Sequence, residues 1–287
     1  MKKKISLLLA LIMVFSVILT ACGSNDANVG DTSDKGNGTQ VENGGNGQLT
    51  VQDIKDKGTI VLGTSADYPP FEFHAMINGK DEIVGFDIEL AKYIADELGV
   101  ELEIRDMDFD KLLGALATGM VDMVIAGMNP DPEREANFTD IYYEANLAVL
   151  IHKDNADKIT KMEDLEGKSI GVQIGTIQEE VAKEEIKDAE VKSLGTNPDI
   201  VMNLMTNKID CAIMETPVAE SYAQVNEDII VVEGLNFDID SGGVAIAVKK
   251  GNDELTEKLN EIIAAAKEEG LLEKWFVEAN ELVNESL

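Results

Sequence analysis

Cysteine, histidine, basic charge and long apolar runs are all scarce in this sequence, and each scarcity closes off a class of protein. The 2 cysteines, Cys22 and Cys211, are too few for a disulfide framework. The 2 histidines, His74 and His152, fall in separate elements, so neither a metal-ligand spacing nor a Ser–His–Asp arrangement can be argued from them. Lysine and arginine total 24 against 55 acids, a net charge of -31. That balance lacks the basic footprint nucleic acid requires and would be repelled by an anionic membrane surface. Solubility and mutual repulsion account for the acidity in general. The one glycine-containing turn of interest, GVQIGT, lacks the GK[ST] of a phosphate loop. No cofactor is implied. Beyond Leu19 there is no second hydrophobic span, which counts against a membrane receptor with an attached signalling module.

What is present starts with Lys2, Lys3 and Lys4, then an apolar run from Ile5 to Leu19 and the small-residue ending Leu19-Thr20-Ala21-Cys22. This is the pattern of a secretory signal peptide over residues 1–21, too short for a permanent membrane helix. The Leu-x-Ala-Cys ending resembles the lipobox of bacterial lipoproteins, which implies lipid on Cys22 and a membrane-anchored chain outside the cytoplasm. The alternative is ordinary cleavage with Cys22 incidental. Residues 22–48 are rich in Gly, Asn, Asp, Ser and Thr and hold too little apolar surface to offset their ordering entropy, so a flexible tether is expected. With Cys22 at the anchor, Cys211 in the run Ile209–Ile213 reads as a small buried hydrophobe.

From Leu49 onward, strand and helix signals alternate. Thr59–Gly63, Val100–Ile104 and Val121–Ala126 read as strands. Asp87–Leu98 is an amphipathic helix with Ile88, Ala91, Ile94, Ala95 and Leu98 on one stripe and Gly99 as its stop. Phe109–Thr118 is a second helix. A further series follows, with strands at Asn146–Ile151, Ser169–Gln173, Glu190–Leu194, Ile209–Ile213 and Val244–Val248. Its helices are expected at Thr176–Glu185, Asp199–Thr206, Pro217–Val225, Asp253–Lys267 and Leu271–Glu278. The rhythm predicts an α/β protein with parallel sheets covered by helices.

The stretch Met123–Tyr143, MVIAGMNPDPEREANFTDIYY, carries the chemistry. A buried strand stops at Gly127 and at Pro130 and Pro132, and a short helix is expected to open at Glu133 and Arg134. Free N–H groups beside a guanidinium fork can grip a carboxylate. Equally, Arg134 could pair with a local acid on a surface loop.

TSADYPPFEF at Thr64–Phe73, GFDIELAKYIADELG at Gly85–Gly99 and MDFDKLLGAL at Met107–Leu116 resemble the polar amino-acid-binding proteins of bacterial ABC importers. So do VDMVIAGM, PER before FTDIYY, DLEGKSIGVQIGT at Asp164–Thr176 and the late GGVAIAVKKGNDEL, all in order and spacing. The resemblance implies a type II periplasmic binding protein: two Rossmann-like lobes joined by two crossover strands near Glu144–Val149 and Asp240–Val244, with the ligand between them. Lobe one would be residues 49–145 plus 243–287, and lobe two 146–242. It implies a free amino acid as ligand, an ABC permease as partner, a monomer and no catalysis. A dehydratase-like enzyme on the same fold is the competing class.

By the same resemblance Arg134 clamps the ligand carboxylate, helped by the N–H of Asn129 and by the helix start at Thr176 and Ile177. Glu215 takes the ammonium, with the carbonyl of Gly127 and the side chain of Asn129. Tyr68 and Phe109 sandwich the ligand side chain. The sequence departs from the family in four places: a shorter Arg134–Phe138 interval, Glu rather than Asp at 215, Asn rather than Thr at 129, and a neutral Ser65 at the side-chain pocket. Gln173 and Met214 are also uncharged. A buried cation without a counter-charge is expensive, so a neutral polar ligand such as glutamine is expected, with a basic amino acid as the alternative.

Overall fold

In the computed structural model, which describes residues 48–235, 237 and 242–286, the alternating elements close into two α/β lobes. The expected leader, the lipidation site at Cys22 and the tether up to residue 47 lie outside the described residues.

Lobe one opens with α1 (Val51–Lys57), whose N-terminus is held by a capping box between Thr50 and Asp53. β1 (Thr59–Thr64) is followed by a small sheet of β2 (Asp67–Tyr68), β3 (Glu72–Ile77) and β4 (Lys80–Val84). α2 (Phe86–Leu98) carries the expected stripe, with Ile88, Ala91, Ile94, Ala95 and Leu98 all buried. β5 (Glu101–Asp106), a 3-10 turn at Phe109–Lys111, α3 (Leu112–Thr118), β6 (Met123–Val124) and β7 (Ala136–Phe138) complete the first pass. The chain then crosses to lobe two, which runs β8 (Leu147–His152), β9 (Ser169–Gln173), α4 (Ile177–Glu184), β10 (Glu190–Leu194), α5 (Asn197–Met205), β11 (Cys211–Glu215), α6 (Thr216–Val225) and β12 (Ile229–Val231). It returns for β13 (Ala247–Lys249), α7 (Asp253–Glu268) and α8 (Leu271–Ser286).

The first sheet has the order β5-β1-β6-β13-β7 and the second β10-β9-β11-β8-β12. Neither is wholly parallel as the rhythm suggested. β13 runs antiparallel to β6 and β7, and β8 antiparallel to β11 and β12. Those reversed strands are the ones the chain reaches by crossing between lobes, so they enter their sheets from the opposite end. The crossings touch at an antiparallel bridge, where Val244 N–H donates to the Tyr143 carbonyl over 2.9 Å. Tyr143 also stacks on Phe276 of α8, ring centroids 4.4 Å apart. Part of the return crossover expected near Asp240–Val244 lies outside the described residues.

Several local expectations change. The strand expected over Val121–Ala126 pairs only at Met123–Val124, and the late strand forms over Ala247–Lys249, leaving Val244 in the bridge. The strand expected at Ile209–Ile213 lies at Cys211–Glu215, which carries Glu215 to its last position. The short helix expected at Glu133 does not form. Asp131 instead accepts the Arg134 N–H on its carbonyl at 3.1 Å and the Glu133 N–H on its side chain at 2.6 Å, closing a tight turn around Pro132. β7 starts at Ala136 and pairs with β13, which leaves no room for a helical turn. Cys211 is buried and unpaired in β11, and burial pushes its thiol up to about 12, so it is an inert core group.

Candidate functional site

The loops at the C-terminal ends of β1, β6, β9 and β11 meet between the lobes. Ser65, Tyr68, Phe109, Gly127, Asn129, Gln173 and Thr176 line one cleft there, together with Asp67, Glu72, Ala126 and Gln178. Arg134 lines the adjoining recess with Phe109 and Gly175. Glu215 is tied to the cleft walls through Tyr68 and Gln178, and Ile177 is the buried first residue of α4 between two lining residues. Seven of the residues singled out in the sequence thus line the cleft, with Arg134 in the adjoining recess and Ile177 and Glu215 beside its walls.

At one end Arg134 projects from the Asp131–Arg134 turn. One guanidinium nitrogen, Nη2, donates to the Gly175 carbonyl of lobe two at 3.0 Å, while Nη1 is buried with no partner among the described residues. The guanidinium carbon lies 5.8 Å from the Phe109 ring centroid. Burial lowers the pKa of Arg134, opposed by the charges of Glu180 and Asp131. Gly175 leads into α4, whose first turn is capped by the Thr176 hydroxyl accepting the Glu179 N–H at 3.3 Å.

At the other end Glu215 is fully buried. Its Oε2 accepts from Gln178 Nε2 at 2.5 Å, and its Oε1 has no partner among the described residues. Burial raises its pKa to about 8. The Tyr68 hydroxyl accepts from the Glu215 N–H and from Gln178 Nε2, each at 3.3 Å. Gln178 Oε1 is also buried and unpaired among the described residues. The cleft region therefore holds a guanidinium, in the adjoining recess, and the carboxyl groups of Glu215 and Glu72 with unmet hydrogen-bonding capacity among the described residues, which is costly when buried.

Gly127 explains how the walls come so close. At its φ of 53°, a Cβ would lie 2.8 Å from the Tyr68 ring. Its N–H donates to buried Asp87 at 2.9 Å, and the Tyr142 hydroxyl donates to the same carboxylate at 2.9 Å. Burial raises Asp87 to about 6. Asn129 Nδ2 donates to the Gly243 carbonyl at 3.0 Å, fastening the loop after β6 to the return crossover.

Among the residues that line or support the cleft, Asp67, Glu72, Gln178 and Asn197 were not singled out in the sequence. Asp67 and Glu72 sit inside the quoted TSADYPPFEF segment, but in so acidic a chain nothing distinguishes them. Gln178 lies two positions past Thr176, where a helix start turns it back toward the cleft. Asn197 is the first residue of α5 and is 1% exposed, which no periodicity reveals. Among the described residues, no group of three or more His, Cys, Asp or Glu is placed to hold a metal, and no helix is long and apolar enough to cross a membrane.

Residues 60–278 match the family described as bacterial extracellular solute-binding proteins, family 3. The chain belongs to that family. It is 38% identical over 284 residues to the arginine-binding extracellular protein ArtP of Bacillus subtilis, covering 96% of this chain and 98% of ArtP. It is 30% identical to the L-cystine-binding protein TcyJ of Escherichia coli, covering 78% of this chain and 84% of TcyJ. Among solved structures it resembles the amino acid ABC transporter substrate-binding protein AbpA of Streptococcus pneumoniae bound to L-arginine. That match has a TM-score of 0.78 and 36% identity, covering 81% of this chain and 98% of AbpA. The fold is the type II periplasmic binding protein, and the chain is a bacterial extracellular solute-binding protein.

Proposed function

We propose that this protein captures a free amino acid with a cationic side chain, arginine above all, and presents it in the closed form to a membrane permease. The observation that carries this reading is a pair of opposite, unsatisfied groups flanking the cleft between the lobes: Arg134 Nη1 in the recess that adjoins it and Glu215 Oε1 behind its Tyr68–Gln178 wall, each without a partner among the described residues. A zwitterion supplies the missing partners of both, its carboxylate to Arg134 and the α4 start at Thr176 and Ile177, its ammonium to Glu215. Gly127 and Asn129 complete the ammonium side, and Tyr68 and Phe109 flank the side chain. The names of ArtP and of arginine-bound AbpA support the basic ligand over the glutamine-like one expected from neutral Ser65, Gln173 and Met214. The second reading, a neutral polar ligand, keeps those three uncharged residues in its favour.

In this account the moving bodies are residues 49–145 with 243–287 and residues 146–242, rotating about the two crossovers. Lobe closure excludes water and strengthens every charged contact. The protein is a monomer held at the membrane through lipid on Cys22, and the ligand leaves it chemically unchanged. Mass spectrometry of the small molecule released on denaturation, followed by calorimetry with all common amino acids, tests the reading. Arginine recovered intact and bound most tightly is the expected result. Tightest binding of glutamine promotes the second reading, and conversion of the ligand on prolonged incubation contradicts the binding role. Cys22→Ala should release the protein from membranes or leave it unprocessed; a wild-type chain that is soluble and starts elsewhere contradicts the anchor.

A further inference from the structure

The neutrality of Ser65 leaves open how a cationic side chain would be recognised, and the answer lies two residues further on. Asp67 opens β2 and lines the enclosed cleft. With Ser65 it also lines an outer recess walled by Asp106, Asp108 and His74. Its carboxylate is gripped from the opposite lobe by one residue. The Asn197 N–H donates to Oδ2 and Asn197 Nδ2 donates to Oδ1, each at 3.0 Å. The same Nδ2 donates to Gln173 Oε1 at 3.1 Å, and Gln173 Nε2 reaches the Gly195 carbonyl at 3.3 Å. The Tyr222 hydroxyl holds the Asp67 backbone carbonyl at 2.7 Å.

We infer that Asp67 is the specificity-determining residue that separates a cationic side chain from a neutral one of the same shape, oriented for that task by Asn197 across the cleft. The inference rests on the proposed amino-acid binding and names the group that reads the side chain. Each carboxylate oxygen can accept more than one hydrogen bond, so the Asn197 fork leaves capacity for a guanidinium or ammonium. Of the other acids of the cleft, Glu215 faces the ligand ammonium, and Glu72 is fully buried with no hydrogen-bond partner among the described residues, where burial and neighbouring Asp87 push its pKa well above the usual range. Burial raises Asp67 as well, but the two Asn197 hydrogen bonds oppose it and favour the charged form. Asp106 and Asp108 add negative potential on the recess side. His74 sits there between Asp81 at 3.0 Å and Asp106 at 3.3 Å, which hold its ring on the recess side. Because the donors to Asp67 come from lobe two, the charge-reading carboxylate is fixed only when the lobes are shut. Recognition of the side chain and closure are therefore one event.

The test is calorimetry with arginine and citrulline, whose neutral ureido group copies the guanidinium shape. The wild type is expected to prefer arginine by about 100-fold or more, and Asp67→Asn to bring the two within about fivefold, mainly through lost arginine affinity. Asn197→Ala, which leaves Asp67 in place, should narrow the ratio about tenfold, and melting curves of both variants establish that each is folded. An arginine-to-citrulline ratio that survives in both variants overturns the role of Asp67 while leaving the amino-acid-binding reading intact. A wild type that binds neither ligand, while Arg134 and Glu215 variants behave as wild type, instead removes the reading on which it rests.

Discussion

Glu215 is held in an environment that suits it only when a cation is beside it. Burial raises its pKa to about 8 in the closed cleft, against an ordinary 4.5. The proton is therefore retained by the closed form across that window, and the closed form is favoured below pH 4.5. This advantage is lost as pH rises through 8. At about 1.4 kcal/mol per pH unit, the closed empty form is disfavoured at pH 8 by roughly 5 kcal/mol relative to one in which Glu215 is solvated. A ligand ammonium removes that penalty. The ligand-free protein should therefore be more compact at pH 5 than at pH 8 by small-angle X-ray scattering, and Glu215→Gln should abolish the difference. An equal radius of gyration at both pH values in the wild type contradicts this role.

Arg134 belongs to the same scale. If it grips the ligand carboxylate, Arg134→Leu leaves a desolvated anion without its main partner. Such a loss costs roughly 3–5 kcal/mol, or about two to four decades of affinity. Arg134→Lys keeps the charge but loses the planar fork, so binding should still weaken clearly. The ligand-free melting temperature should barely move in either variant. A drop in stability with affinity retained would make Arg134 a structural residue, and its bond to the Gly175 carbonyl its whole purpose.

Among the elements, the loop between β6 and β7 does most to shape the cleft. Gly127 lets the Tyr68 ring lie against the backbone, and Asp87 pins the Gly127 N–H from below. Gly127→Ala would drive a methyl into that ring and force a left-handed φ on alanine, a strain of about 1–3 kcal/mol. The melting temperature should fall and ligand affinity should weaken together; a variant unchanged in both would show the ring free to move aside. Helices whose apolar period is regular, α2 above all, were legible in the sequence because burial of one stripe fixes the element. The small sheet of β2, β3 and β4 was not, because Lys80–Val84 is largely exposed and charged and Pro69-Pro70 masks the turn. The proline pair at 130 and 132 read as a helix start, yet Asp131 closed a turn first. Arg134 and Glu215 were legible because strand ends and family motifs mark them. Asp67 and Asn197 were not, since their roles exist only once two distant segments meet across the cleft.

At the scale of the whole molecule, hydrogen bonds that span the cleft among the described residues include Arg134 to Gly175, Asn197 to Asp67, Gln178 and the Glu215 N–H to Tyr68, and Tyr222 to Asp67. Apolar packing also joins the lobes, since residues of both, among them Phe71, Trp275, Met214 and Tyr222, share one buried cluster, and a ligand that bridges both lobes can shift the balance between open and closed forms. The most direct test is calorimetric titration of the purified protein with arginine, agmatine and glutamine at neutral pH. Agmatine keeps the guanidinium of arginine and lacks its carboxylate. Arginine is expected to bind tightly and one-to-one, and agmatine and glutamine more weakly by at least about tenfold each. Arginine bound no better than agmatine would contradict the carboxylate grip, and glutamine bound more tightly than arginine would contradict the cationic ligand.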